Sequence, residues 1–277
     1  MLTTTIDGLW ALQVLSGIEV LAPELGLRPY LPSIETPRMA LEHPIAAELR
    51  DVGAIDDAGA VDDTVHEWLT VVARRDVALL FYTQTPSGDR APERVVLARL
   101  AQWWVTLERC GSTVHLSGAG TATSQHAADL LISVQIERLC GAMAPAQCRP
   151  ATIDVAQLVA RVNDGASLRR FLTDHHCDSD QARTLALAAD TTLSAQASMV
   201  ALQSGLASPT SRAVIESGAV TVIDTPSGRL VSERVVRGGR PWMIVSPGSV
   251  GNIAAAVRKM MHRLPAYDAG HSHGKAV

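Results

Sequence analysis

Helical and strand-like segments follow the same order twice along this chain, and that repeated order is the strongest constraint on its fold. In each half, helical segments come first, a run of short strand-like segments follows, and one amphipathic helix closes the run. Thr85-Pro86-Ser87-Gly88 recurs as Thr225-Pro226-Ser227-Gly228, 140 positions later. We therefore predict an α+β fold with a quasi-twofold internal repeat.

The predicted strands are rich in apolar and β-branched residues and are separated by turn residues, which join antiparallel neighbours. In the first half they cover residues 2–6, 77–83, 94–100, 103–109 and 114–117. In the second half they cover residues 195–202, 219–224, 229–236 and 242–245.

The predicted helices have apolar residues at helical spacing and capping residues at their starts. They cover about 7–16, 45–51, 62–72, 124–139, 153–162, 167–175, 180–189 and 250–264. Asp7, Asp62 or Asp63, Asp154, Ser167 and Asp178 are the predicted caps. The segment 21–37 contains four prolines, so we predict that it is irregular.

The length of 277 residues allows one large α/β domain or two fused halves. We expect a single domain over residues 1–277, with similar halves at about 1–145 and 146–265. The segment 266–277 is predicted to be a mobile tail.

Composition excludes several classes of function. The net charge is −4 and no block of basic residues occurs, which argues against a nucleic-acid partner. The start of the chain lacks the features of a signal peptide, and the apolar stretches are too short to insert in a membrane, so a cytoplasmic location is expected. The four cysteines form no CxxC pair and are predicted to be reduced, structural thiols.

The densest cluster of chemically active side chains is Asp174-His175-His176-Cys177-Asp178. It lacks the separated ligands that zinc requires, so a solvated helix end is the favoured interpretation. Pro247-Gly248-Ser249-Val250-Gly251 only approaches a nucleophile elbow. We predict no catalytic residue, no cofactor and no metal; a small hydrolase or metal-dependent enzyme using His175-His176-Cys177 remains the alternative.

The whole chain resembles the EspG family of ESX (type VII) secretion-associated proteins. The resemblance is carried by the opening residues 2–10, by Glu24-Leu25-Gly26-Leu27-Arg28-Pro29, by Trp68-Leu69-Thr70-Val71, by Val222-Ile223-Asp224-Thr225 with Gly228-Arg229-Leu230, and by Ser246-Pro247-Gly248. Residues 2–10 and Arg138-Leu139-Cys140-Gly141 are most similar to the ESX-2 branch.

This resemblance implies a central, mainly antiparallel sheet with helical bundles. It also implies a non-enzymatic chaperone that binds the PPE subunit of a PE–PPE heterodimer, keeps it soluble and delivers it to the ESX machinery. Family members make the contact with the sheet, the second helical bundle and the loop after the second strand. We therefore place candidate partner-binding residues at Ser87, Gly88 and Asp89 in that loop, and at Arg229, Ser232 and Arg234 in a later strand.

Overall fold

The structure is a computed structural model that describes residues 1–86, 93–204, 214–264 and 267. Within these residues the helices are α1 Ile6–Ser16, α2 Pro37–Glu42, α3 Ile45–Asp51, α4 Asp63–Arg74, α5 Gln125–Cys140, α6 Val155–Arg161, α7 Gly165–Asp174, α8 Ser179–Ala189 and α9 Val250–Met261. A short 3-10 helix covers Pro23–Leu25.

The strands of the described residues form one sheet. They are β1 Leu2–Thr5, β2 Val77–Gln84, β3 Arg94–Leu100, β4 Trp103–Cys110, β5 Thr113–Thr121, β6 Ala151–Asp154, β7 Ala195–Gln203, β8 Val214–Ile215, β9 Ala219–Thr225, β10 Gly228–Arg237 and β11 Arg240–Pro247. Their order is β1-β5-β4-β3-β2-β7-β9-β10-β11-β6, with β8 beside β7. Neighbouring strands are antiparallel, so the predicted fold class is confirmed.

The strand order is symmetric about the central pair of β2 and β7. Outward from the centre, each half presents its long strands in chain order and then its own first strand, β1 or β6, at the outer edge. Val77–Gln84 pairs with Gln196–Gln203 and joins the halves into one continuous sheet. The quasi-twofold repeat is thus a property of the topology.

The recurring Thr-Pro-Ser-Gly sequence does not mark this repeat. The first copy follows β2, whereas the second lies between β9 and β10, the equivalents of β3 and β4. The true spacing of the closing helices is 125 residues, since Ser124 and Ser249 both cap them and accept from the backbone N–H three residues on, at 3.2 Å. The predicted offset of 140 was therefore wrong, because turn residues recur wherever a hairpin needs them.

The helices cover the two faces of the sheet differently. Helices α1 to α4 pack on one face of the first half, and α6 to α8 pack on the same face of the second half. Helices α5 and α9 lie side by side on the opposite face, across the centre. We call the face with the two bundles the bundle face and the other the paired-helix face.

Several predicted boundaries differ from the structure for local reasons. Helix α2, Pro37–Glu42, was not among the predicted helices; it starts at the last residue of the segment predicted to be irregular, because proline is compatible with the first helical turn. Ile153 lies in β6 rather than in a helix, and Asp154 caps the helix that follows. The caps of α1 and α7 are Thr5 and Asp164 instead of Asp7 and Ser167.

The chain after α9 returns to the core through Tyr267, which is fully buried. Its backbone carbonyl accepts a 2.9 Å hydrogen bond from Arg99, whose guanidinium lies 5.2 Å from the tyrosine ring. Arg99 is itself buried and paired with Asp76 at 2.9 Å. Folded structure therefore extends past the predicted limit at 265; the rest of the predicted mobile tail lies outside the described residues.

We expect Tyr267→Ala to lower the free energy of unfolding by about 3 kcal/mol, because it leaves a cavity over Arg99. Tyr267→Phe keeps the ring and loses the contacts of the hydroxyl group, among them the 3.3 Å hydrogen bond to Asp129, at a cost of about 1 kcal/mol. Urea unfolding followed by circular dichroism measures both values. Equal stability of Tyr267→Ala and the wild type would show that the ring does not hold this segment in place.

Candidate functional site

The bundle face has a strip at its centre that the two helical bundles leave partly exposed. The cross-strand register places Tyr82, Ser198 and Thr221 in one row, and Leu80, Val200, Ala219 and Arg234 in the next. All of these side chains are partly or fully exposed. We call these seven residues the central strip.

Short side chains keep the middle of the central strip flat. Ser198 Oγ and Thr221 Oγ1 lie 3.2 Å apart, so two neighbouring strands share one hydroxyl pair there. Val200 and Ala219 present small apolar surfaces on the adjacent row. Tyr82 is the largest exposed ring of the strip, at 42% exposure. A surface with an apolar middle and a few hydroxyl groups is suited to protein contact.

An arginine lies at each side of the strip: Arg94 lies beside Tyr82, and Arg234 is the strip residue on β10. The Arg94 guanidinium lies 6.0 Å from the centre of the Tyr82 ring, which is a cation–π distance. Arg234 is exposed on β10, and no carboxylate of the described residues pairs with it. The strip therefore combines apolar contact area with positive charge at its sides.

The predicted partner-binding residues of β10 separate between the two faces. Ser232 and Arg234 both lie on the bundle face, where Ser232 is buried and Arg234 is exposed. Arg229 lies on the paired-helix face, because successive strand residues alternate sides. Ser87, Gly88 and Asp89 lie outside the described residues.

Arg229 has a structural role instead of a place on the strip. Its side chain is 6% exposed and contacts both carboxylate oxygens of Asp224 at 2.6 and 2.7 Å. It also donates to the carbonyl groups of Gly141 and Cys140 at 2.8 and 2.6 Å, where helix α5 ends. These bonds satisfy carbonyl groups that a helix end leaves unpaired.

The His175–Cys177 cluster forms a helix end. The His175 ring stacks on Phe171 with 4.0 Å between centroids, and Nδ1 lies 2.8 Å from the Phe171 carbonyl oxygen. Burial raises the pKa of the Cys177 thiol, which disfavours a nucleophilic thiolate. Within the described ranges, no three His, Cys, Asp or Glu side chains are grouped to hold a metal ion. The arrangement gives no support to the alternative of an enzyme.

The described cysteines are free thiols, each partly buried. Burial raises the pKa of Cys140 to about 11, although the nearby Arg229 charge lowers it in part. Burial also raises the pKa of Cys148. Burial therefore favours the protonated form of Cys140, Cys148 and Cys177, which is less nucleophilic than the thiolate.

Sequence reasoning missed most of the central strip. Ser198 and Thr221 are polar residues in the apolar middle of their strands, and that interruption is the signal that could have identified them. Tyr82, Val200 and Ala219 fit an ordinary buried strand equally well. Their exposure depends on where the two bundles end, which no local pattern encodes.

Comparisons with known proteins give a consistent result. A family model described as the EspG family matches residues 5–259. The ESX-2 secretion-associated protein EspG2 of Mycobacterium tuberculosis (strain ATCC 25618 / H37Rv) is 46% identical over 100% of both chains. The ESX-3 secretion-associated protein EspG3 of Mycolicibacterium smegmatis is 27% identical and covers 94% of this chain and 86% of its own.

A solved structure shares the fold. It is that of the Mycobacterium tuberculosis type VII secretion system chaperone EspG5 in complex with the PE25–PPE41 dimer. The TM-score is 0.75 at 21% identity, covering 95% of this chain and 96% of that one. None of the helices in the described residues is long and apolar enough to cross a membrane.

We expect Arg229→Met to lower the free energy of unfolding by roughly 3 kcal/mol, because it leaves Asp224 unpaired and removes the bonds at the end of α5. The matched change Arg234→Met, on the same strand, should stay within about 0.5 kcal/mol because that side chain is exposed. Urea unfolding of both variants tests this difference. Equal losses would contradict the structural role of Arg229.

Proposed function

This chain belongs to the EspG family, and from that premise we propose that it is a chaperone that binds PE–PPE heterodimers through their PPE subunit. In this proposal it keeps the PPE surface soluble in the cytoplasm and delivers the pair to the ESX secretion machinery. The full-length similarity to EspG2 favours the ESX-2 system. No step of this function requires a catalytic residue or a cofactor.

The central strip is the observation that carries this proposal. An exposed apolar patch on a client is an aggregation hazard, and a flat surface of similar chemistry can cover it. The strip offers Leu80, Val200 and Ala219 as apolar contacts, with hydroxyl groups beside them. Because these side chains project from a rigid sheet, they lose little conformational freedom on binding.

The second helical bundle, α6 to α8, borders the strip and extends the proposed contact. Ile223 and Met243 lie on the bundle face and pack against this bundle, so the strip is continuous with it. Helix α8 of this bundle contacts β9, the strand that carries Ala219 and Thr221. Arg234 is the strip residue next to Met243 and the second bundle, where it can pair with a carboxylate of the client.

The candidates Ser232 and Arg234 have different roles in this proposal. Arg234 contacts the client directly, and the buried Ser232 supports the strip from the neighbouring position. Ser87, Gly88 and Asp89 remain proposed contacts by virtue of following β2. The Arg229 guanidinium, engaged on the other face, is excluded from the proposed contact.

We expect the purified protein to form a 1:1:1 complex with a PE–PPE pair encoded with its own secretion system. Size-exclusion chromatography with light scattering should show a mass equal to the sum of the three chains. A pair from an unrelated ESX system serves as the control. If no pair from its own system shifts the mass, the chaperone function is contradicted.

We expect Arg234→Glu to weaken this complex by about 2 kcal/mol, roughly thirtyfold in Kd, because the reversed charge repels a client carboxylate. Arg237→Glu is the matched control: the same charge change on the same strand, exposed, but on the paired-helix face. Calorimetric titration of both variants measures the effect. Wild-type affinity for a folded Arg234→Glu would place the contact elsewhere.

A further inference from the structure

The internal repeat produces two equivalent clefts between α5 and α9 on the paired-helix face. The helices run antiparallel: Asp129 near the start of α5 pairs with Arg258 near the end of α9 at 2.8 Å. The first cleft lies at that end. The second lies at the opposite end, between the end of α5 and Val250 at the start of α9.

Cross-strand pairs at equivalent positions underlie the two clefts. Arg99 on β3 is directly opposite Trp104 on β4, and 125 residues later Asp224 on β9 is directly opposite Arg229 on β10. Both pairs face α5 and α9. The two clefts therefore have the same framework and differ in side chains.

Tyr267 of the chain itself fills the first cleft. Its ring meets the His262 ring edge-on at 5.4 Å between centroids, and its hydroxyl donates to Asp129 at 3.3 Å. Arg99 binds its carbonyl oxygen at 2.9 Å. The segment that follows α9 thus places an aromatic side chain between the two helices.

The second cleft is an open cavity of about 410 Å³. At the position where the segment after α9 supplies the ring of Tyr267, the segment after α5 has only the small residues Gly141 and Ala142. The remaining walls include Ile136, Val250 and Ala254, which are apolar. No described residue places an aromatic ring in this cavity.

Charge also distinguishes the second cleft. Glu137 lines the second cleft at the position equivalent to His262, which lies 125 residues later and contacts Tyr267 in the first cleft. No cation of the described residues pairs with the Glu137 carboxylate. The nearby Arg229 is already neutralised by Asp224. The cleft thus combines an apolar interior with one available negative charge.

We propose that the second cleft binds an aromatic side chain from a peptide segment of another protein, with a basic residue next to the aromatic one. The first cleft shows that this framework can hold such a ring, and the negative charge of Glu137 complements the positive charge of the basic residue. Because the cleft is on the face opposite the central strip, it can be occupied while a client is bound. The inference is independent of the proposed function.

Two short peptides test the proposal on the full-length protein. Both are N-acetylated amides that contain 4-fluorophenylalanine, followed by arginine in one and by glutamate in the other. Fluorine NMR titration should show the arginine peptide binding at least fivefold more tightly than the glutamate peptide. Glu137→Gln should reduce that preference to less than twofold, since the residue is exposed and the fold is unaffected.

A blocking variant locates the bound peptide. Ala254→Trp fills the cleft and should weaken binding at least tenfold, whereas Ala255→Trp, at the next position of α9 and not in the cleft wall, should leave it unchanged. Met143 also lines the cleft, so its methyl resonance in the wild-type protein should shift when the arginine peptide is added, which locates the peptide without any variant. No binding of either peptide, or binding without a Met143 shift, would overturn the proposal.

Discussion

The antiparallel pairing of β2 with β7 is the interaction on which the rest of this structure depends. It joins strands from the two halves of the chain over eight residue pairs, from Val77 with Gln203 to Gln84 with Gln196. Each half alone would expose one long strand as an edge. The pairing removes both edges at once, so the halves behave as one sheet and share one layer of helices, α5 and α9, across the junction.

The same junction explains why a binding surface exists at all. Each half brings its own helical bundle to the bundle face, and the quasi-twofold relation sets those bundles apart on either side of the centre. The strands between them stay partly exposed on this face, while α5 and α9 bury their other face. One side of the central strands is therefore rigidly supported from behind, which holds Tyr82, Ser198 and Thr221 in place.

Local patterns in the sequence predicted the strands well and the site poorly. Turn residues and β-branched runs identified β2 to β5 and β9 to β11, because those signals lie within a few residues of each other. Thr5 and Asp164 were missed as caps because other polar side chains lie next to them in sequence. The faces of Arg229 and Arg234 follow from alternation alone, but the burial of Arg229 depends on the distant end of α5.

The two outermost strands, β1 and β6, have a consequence for the behaviour of the protein at high concentration. Each is only four residues long and passes directly into a helix, at Ile6 and at Val155. A sheet whose open borders are this short offers an incoming strand few backbone groups to pair with. The protein can therefore present a large sheet surface to another chain without lengthening that sheet into a filament.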